Sequence, residues 1–186
     1  MRFTIIGIVG PIASGKSMLS DELVKNGFEK LSFSSEVREE ARKRGILIER
    51  KLLQDLGNAM RKEKGGDYWA RRIIEKLEEG RHYVIEGIRN PAEVDALKNL
   101  AGFRLVAVEA PIEKRYQWIM LRQKDSDPSS LEGVKKIDAR DRGLGEEGHG
   151  QQSSKCIEMA GTMLVNDKTK EHFQKKVEKL LKKLKL

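Results

Sequence analysis

The residues best equipped for chemistry lie within the first twenty positions. Gly10-Pro11-Ile12-Ala13-Ser14-Gly15-Lys16-Ser17 has the spacing G-x-x-x-x-G-K-[ST]. Glycines at its two fixed positions let main-chain N–H groups turn inward around a phosphate without a Cβ in the way. A helix starting at Lys16 would add its positive dipole end at the same point. Lys16 would supply a point charge to β- and γ-phosphates, and the Ser17 hydroxyl would face Mg²⁺. The expected contacts to such a triphosphate are Gly10, Ile12, Ala13, Ser14, Gly15, Lys16, Ser17 and Met18. An acid on a neighbouring strand is needed to hold the metal's water shell. Glu86, which ends "HYVIEG", is the candidate, paired with Ser17 as metal-site residues acting through water.

These residues need a strand before the loop and a helix after it, and the sequence provides both. "FTIIGIV" (Phe3–Val9) is a continuous apolar, β-branched run, the mark of a strand buried on both faces. The helix after it puts Leu19, Leu23 and Val24 inward. A short strand, "EKLSFS", follows at Glu29–Ser34, with Ser35 as the N-cap of a helix ending at Gly45. Two amphipathic helices come next, broken at Gly65-Gly66, with Asp67 capping the second. Strands at His82–Gly87, Phe103–Ala110 and Thr162–Asn166 alternate with helices opening at Pro91, Pro111 and Ser153. The βαβα rhythm implies a parallel sheet covered by helices on both faces. Residues 124–151 break it: they hold Asp, Ser, Pro, Arg and five Gly and few apolar residues, and read as a functional flap.

Composition bounds the alternatives. The chain has 186 residues, 38% hydrophobic and 35% charged, and reads as one soluble globular domain over 1–186. Its net charge is +8, but Lys168–Leu186 holds eight Lys and two Glu and so carries +6 of it. The excess is therefore the solvated face of one helix, and no nucleic-acid partner is expected. One cysteine, Cys156, allows no internal disulfide and fits a reducing compartment, the cytoplasm. The apolar N-terminus is too short for a membrane span and lacks a signal peptide's cleavage pattern, so no membrane partner is expected either. The three histidines show no metal spacing, Cys156 has no evident base, and Trp69 reads as helix-face core.

Beyond the loop, "SSEVREEARKRG", "VIEGIRNPAEVDALK", "RYQWIMLRQKDSDP" with "DARDRG", and "AGTMLVND" resemble the nucleoside monophosphate kinase branch of P-loop proteins. The resemblance is to archaeal adenylate-kinase-related and dephospho-CoA-kinase-like proteins in particular, and it covers nearly the whole chain. It implies a three-layer α/β/α fold with a five-stranded parallel sheet of order 2-3-1-4-5. It also implies a helical acceptor-binding region at about 35–80 and a lid at about 124–151. ATP and Mg²⁺ are the implied cofactors, with Lys16 and the lid-side arginines Arg122, Arg140 and Arg142 as catalytic groups. Arg122 would also contact the donor nucleotide. Ser35, Arg38, Glu86 and Arg89 would serve the acceptor, and Arg115 precedes the lid.

The acceptor divides the possible functions. A phosphate oxygen is already a nucleophile and needs arginine clamps, whereas a ribose hydroxyl benefits from a nearby carboxylate. Dephospho-CoA kinases place an Asp at the end of the second strand, where this chain has Ser34-Ser35, with Glu36 one residue on. The expectation is therefore transfer of the ATP γ-phosphoryl group to a nucleoside or deoxynucleoside monophosphate. A dephospho-CoA-kinase-like enzyme is the alternative, and a regulatory ATPase is the alternative of another class. The protein would work as a monomer or a homodimer. Arg42, Arg44 and Arg50 read as surface, and Arg61, Arg71 and Arg72 as either pocket or surface.

Overall fold

A computed structural model describes residues 4–122, 127–146 and 148–184. Phe3 of the first expected strand, residues 124–126 and 147 of the expected lid, and 185–186 of the basic tail lie outside these residues. Five strands form one parallel sheet in the order β2-β3-β1-β4-β5. They are β1 Ile5–Val9, β2 Phe28–Ser32, β3 His82–Glu86, β4 Phe103–Glu109 and β5 Thr162–Val165. Ile8 of the central strand pairs with Glu86 on one side and Val106 on the other. β1 is buried along its whole length, as its unbroken apolar run requires. With every strand parallel, all their carboxyl ends fall on one edge, where an α/β sheet places its ligands.

Two cores flank the sheet. One contains Ile5, Val9, Phe33, Met60, Trp69, Tyr83 and Ile85, covered by α2 (Phe33–Lys43), α3 (Arg50–Lys64), α4 (Tyr68–Ile74), α5 (Pro91–Lys98) and α8 (Ser153–Glu158). The other contains Ile6, Ile8, Leu19, Leu23, Val84 and Val108, covered by α1 (Lys16–Lys25) and α9 (Lys170–Leu184). The alternation along β1 explains the split: Ile5 and Val9 point to one face, Ile6 and Ile8 to the other.

Two expectations shift. β2 ends at Ser32, and Ser32, not Ser35, is the residue before α2. Phe33 is drawn into the core, only 2% exposed, and the helix begins there. Val24 faces solvent rather than the core. Inside the expected lid lies a regular helix, α7 (Leu131–Arg142), following α6 (Ile112–Arg122). The Ser130 hydroxyl accepts from the Gly133 N–H at its start, and Gly143 ends it with φ 100°. Among its buried residues only Val134 is apolar; the other two are Asp138 and Asp141. That polarity is why its sequence does not read as a helix.

Candidate active site

The loop between β1 and α1 is shaped by contacts that glycine alone satisfies. A Cβ on Gly10, at φ 146°, would lie 2.1 Å from the Val108 carbonyl oxygen. On Gly15, at φ 105°, it would meet Asn166 Nδ2 at 2.7 Å. Ala13 also has positive φ, 58°, so the chain coils tightly over the α1 N-terminus. Outer residues brace it. Asn166 Nδ2 donates to the Ser14 carbonyl at 3.1 Å, and Arg115 Nη1 donates to the Ile12 carbonyl at 3.1 Å. Buried Arg115 also bonds the Ala110 carbonyl and pairs with Asp138 of α7.

Lys16 Nζ donates to the carbonyls of Gly10 at 2.8 Å and Pro11 at 2.6 Å, closing the loop on itself. Burial, and next the Arg89 charge, push its ammonium down to about 8, against the opposing pull of Glu86 and Asp141. Ser17, the next residue, is exposed in the first turn of α1. Glu86 ends β3 with its two oxygens in different states. Oε2 pairs with Lys30 Nζ at 3.0 Å, while Oε1 is buried with no hydrogen-bond partner among the described residues. An orphaned carboxylate oxygen and a serine exposed in the first turn of α1 suit Mg²⁺, which keeps most of its waters and draws other ligands from bound phosphates. Among the described residues, no group of three or more His, Cys, Asp or Glu could hold a metal by itself.

Beside this loop lies a cavity of about 190 Å³ between α2, α3 and the turn after β3. Its lining includes the apolar Phe33, Val37, Ile48 and Leu53. It also includes Arg38, Arg50, Arg61 and Arg89 with Gln54 and Gln151, and no carboxylate among the described residues. Arg38 and Arg89 are the expected acceptor arginines. Ser34 lines the cavity and Ser35 does not, because the earlier start of α2 turns Ser35 toward solvent. Glu86 is absent from the lining; Gly87 stands there instead. Arg50, read from sequence as surface, belongs to the cavity. Burial lowers its pKa, and its Nε is buried without a partner among the described residues.

Arg61 donates through Nε to Glu93 Oε1 at 2.8 Å, and both are buried. The other Glu93 oxygen accepts from the main-chain N–H groups of Arg89 and Asn90 at 2.8 and 3.1 Å. One carboxylate thus sets both an arginine and the turn that presents another. Asn90 Nδ2 in turn holds the carbonyls of Gly148 and Gly150, each at 2.9 Å.

The lid-side arginines each have an acidic partner. Arg122 is bidentate to Asp127 at 2.6 and 2.7 Å. Arg140 reaches Asp55 of α3 at 2.7 Å and Glu146 at 2.8 Å. Arg142 lies 3.6 Å from Glu109 at the end of β4. Arg72 and Lys76 both pair with Glu36, which ties α2 to α4 and commits that carboxylate to the scaffold. Trp69 is fully buried, its Nε1 donating to the Gly57 carbonyl at 3.1 Å. Cys156 is a core residue whose thiol burial pushes up to about 12.

Comparison with known proteins agrees with this geometry. The AAA domain family matches residues 6–141. A UPF0200 protein of Methanothrix thermoacetophila is 32% identical over 184 residues, covering 97% of each chain. The chain belongs to the UPF0200 family. A UPF0200/UPF0201 protein of Archaeoglobus fulgidus is also 32% identical, and 99% of the present chain spans 57% of its length. Two solved structures share the fold. Shikimate kinase from Acinetobacter baumannii in complex with shikimate has a TM-score of 0.58 at 15% identity, covering 98% of this chain and 93% of that one. Dephospho-CoA kinase from Campylobacter jejuni has a TM-score of 0.52 at 16% identity, covering 99% and 98%. This UPF0200 member has the three-layer α/β/α fold of those two structures, with the phosphate-loop sequence at Gly10–Ser17 between β1 and α1. Asn166, Asp141, Arg50 and Glu93 are the residues around the loop and cavity that sequence reasoning missed, and Arg61, left open between pocket and surface, lines the cavity. Only Asn166, directly after the fifth strand, carries a positional signal.

Proposed function

We propose that this UPF0200 protein is an ATP- and Mg²⁺-dependent kinase that transfers the γ-phosphoryl group to a small phosphorylated acceptor, a nucleoside or deoxynucleoside monophosphate. The observation carrying this reading is the cavity beside the loop, which among the described residues is lined by four arginines and by no carboxylate, the neighbouring acids Asp141 and Glu93 being engaged with three of those arginines. Such a lining binds a phosphate and supplies no base for a hydroxyl. Glu36, the nearest acid on α2, is spent on Arg72 and Lys76, which disfavours a dephospho-CoA-type acceptor.

In this reading Lys16 leaves its two loop carbonyls for the β- and γ-phosphates of the donor. The main-chain N–H groups of Gly10 and of Ile12 to Met18 cradle those phosphates. Arg38 and Arg89 orient the acceptor so that a phosphate oxygen faces the γ-phosphorus; that P–O bond forms as the β–γ bridge breaks and ADP departs. Ser17 and Glu86, through water, would hold Mg²⁺, which would neutralise phosphate charge. Arg122, Arg140 and Arg142 are the lid arginines of the reading, and each would exchange its present carboxylate for the transferring group. The lid of the reading, of which α7 is the described helix, would close over the site and exclude water. Among the described residues no helix is long and apolar enough to cross a membrane, and a cytoplasmic setting is part of the proposal.

A coupled ADP-release assay with each nucleoside monophosphate and with dephospho-CoA tests the reading. Acceptor-stimulated turnover by a monophosphate, abolished in Lys16→Ala, is expected. Stimulation by dephospho-CoA alone would replace the acceptor class, and slow acceptor-independent hydrolysis would leave the regulatory ATPase.

A further inference from the structure

Two of the cavity arginines already hold an anion. Arg50 comes from the start of α3 and Arg89 from the turn after β3, yet both converge on one oxygen of Asp141. Arg89 Nη1 is 3.0 Å and Arg50 Nη2 is 3.5 Å from Asp141 Oδ2. The second oxygen, Oδ1, accepts from Gln54 Nε2 at 3.1 Å. Asp141 itself sits in the last turn of α7, only 4% exposed, and its main-chain carbonyl accepts from Ser153 Oγ at 2.6 Å. Two guanidiniums and an amide around a planar anion are what a phosphate would receive in the same place. Arg50, Arg89 and Gln54 all line the cavity, and the buried, unpartnered Nε of Arg50 leaves the set with a donor still to satisfy.

We propose that Asp141 is the resident anion of the acceptor subsite: the acceptor's phosphate takes Arg50 and Arg89 from it, and α7 is released as it does so. The inference rests on the kinase reading and adds a rule of selectivity. Four guanidiniums line the cavity, and Glu93 and Asp141 neutralise two of them. A monoanionic ligand would only exchange like for like with Asp141. A phosphate monoester dianion brings a second charge and an additional oxygen for Arg50 Nε, so it displaces the carboxylate where a carboxylic acid does not. Affinity is reduced by the cost of removing Asp141. The same displacement frees the carboxyl end of the helix that carries Arg140 and Arg142, so acceptor arrival is coupled to the lid.

Calorimetric titration of the full chain with inorganic phosphate at pH 7.5, with acetate as the monoanion, tests this without ATP or turnover. Asp141→Asn keeps the shape and removes the competing charge. It should bind phosphate at least about tenfold more tightly than the wild type, with acetate gaining as well. Unchanged or weaker binding would make Asp141 a scaffold for the arginines and overturn the proposal. Phosphate can also enter the Gly10–Ser17 loop, so the gain must vanish in Asp141→Asn/Arg89→Met; a gain that persists there overturns it too. Should Asp141→Asn not fold, hydrogen exchange of the wild type decides: saturating phosphate should speed exchange at 138–142, and unchanged or slower exchange refutes the release. A tighter Asp141→Asn with no ADP release in any acceptor assay would remove the kinase reading and keep the resident anion. The reverse pair of results would do the opposite.

Discussion

At the scale of residues, Lys16 is an ammonium held by its own loop. It donates to two carbonyls, carries a pKa near 8, and sits in the field of Arg89 and Arg115. An unfolded lysine holds its proton up to 10.5, so between about 8 and 10.5 the unfolded chain binds more protons than the folded one. The Lys16 contribution to stability therefore rises with pH across that window. Donor affinity runs the other way. The charge that meets the phosphates is lost from the free protein above pH 8, and ATP binding should weaken by up to about tenfold per pH unit there. Titrations at pH 7, 8.5 and 9.5 check this, and a flat profile would show that Lys16 stays charged. The Lys16 loop was readable because eight contiguous residues carry it. The acceptor side was not. Arg50, Arg89 and Asp141 are separated by up to 91 positions, and nothing in the spelling of "LIER" distinguishes an arginine at a cavity from one in water. Only the strand order and helix start decide, and those moved Ser34 in and Ser35 out.

At the scale of elements, α7 joins the rest of the site through charge where other helices use apolar contact. Asp138 pairs with buried Arg115 of α6, which in turn supports the Ile12 carbonyl of the phosphate loop. Removing one partner of such a pair strands the other charge in the interior. Asp138→Ala should cost about 3–5 kcal/mol in chemical denaturation, and it should weaken donor binding through the loop as well. A loss confined to stability, with donor affinity intact, would separate α7 from the phosphate loop. The helix illustrates where periodicity stops working. Leu131–Arg142 has one buried apolar side chain, Val134, and two buried acids, so a reading based on apolar spacing finds a flap. β1 and α9 are the opposite case: their buried residues are apolar, and both elements were legible.

At the scale of the whole molecule, the sheet separates two tasks. The core under α1 and α9 supports the loop, and the core under α2 to α5 supports the cavity. Phe173 of α9 shows how the first task reaches the site, since its ring edge stands 3.1 Å from where a Gly15 Cβ would be. Phe173→Ala should lower stability by about 3–5 kcal/mol and loosen the loop, raising the Kd for ATP more than the KM for the acceptor. Equal effects on both would mean that the two halves are not separable. The basic face of α9 faces solvent while Phe173, Val177, Leu180 and Leu181 are buried. That division docks the helix by its apolar stripe and leaves its lysines in water.

The two tryptophans fall on opposite sides of this division of labour. Trp69 lies dry behind the cavity wall, tethered to the Gly57 carbonyl and overlain by the Arg72 guanidinium 5.7 Å from the ring centre. Trp118 is half-buried on α6, the helix against which α7 rests. Their light emission should therefore divide in the same way. Trp69 should give a blue, steady background fixed by the core, and Trp118 should give a component that changes colour and intensity if α7 is released as proposed. On the proposed reading of this segment as a lid, the molecule would carry its own optical gauge of lid position.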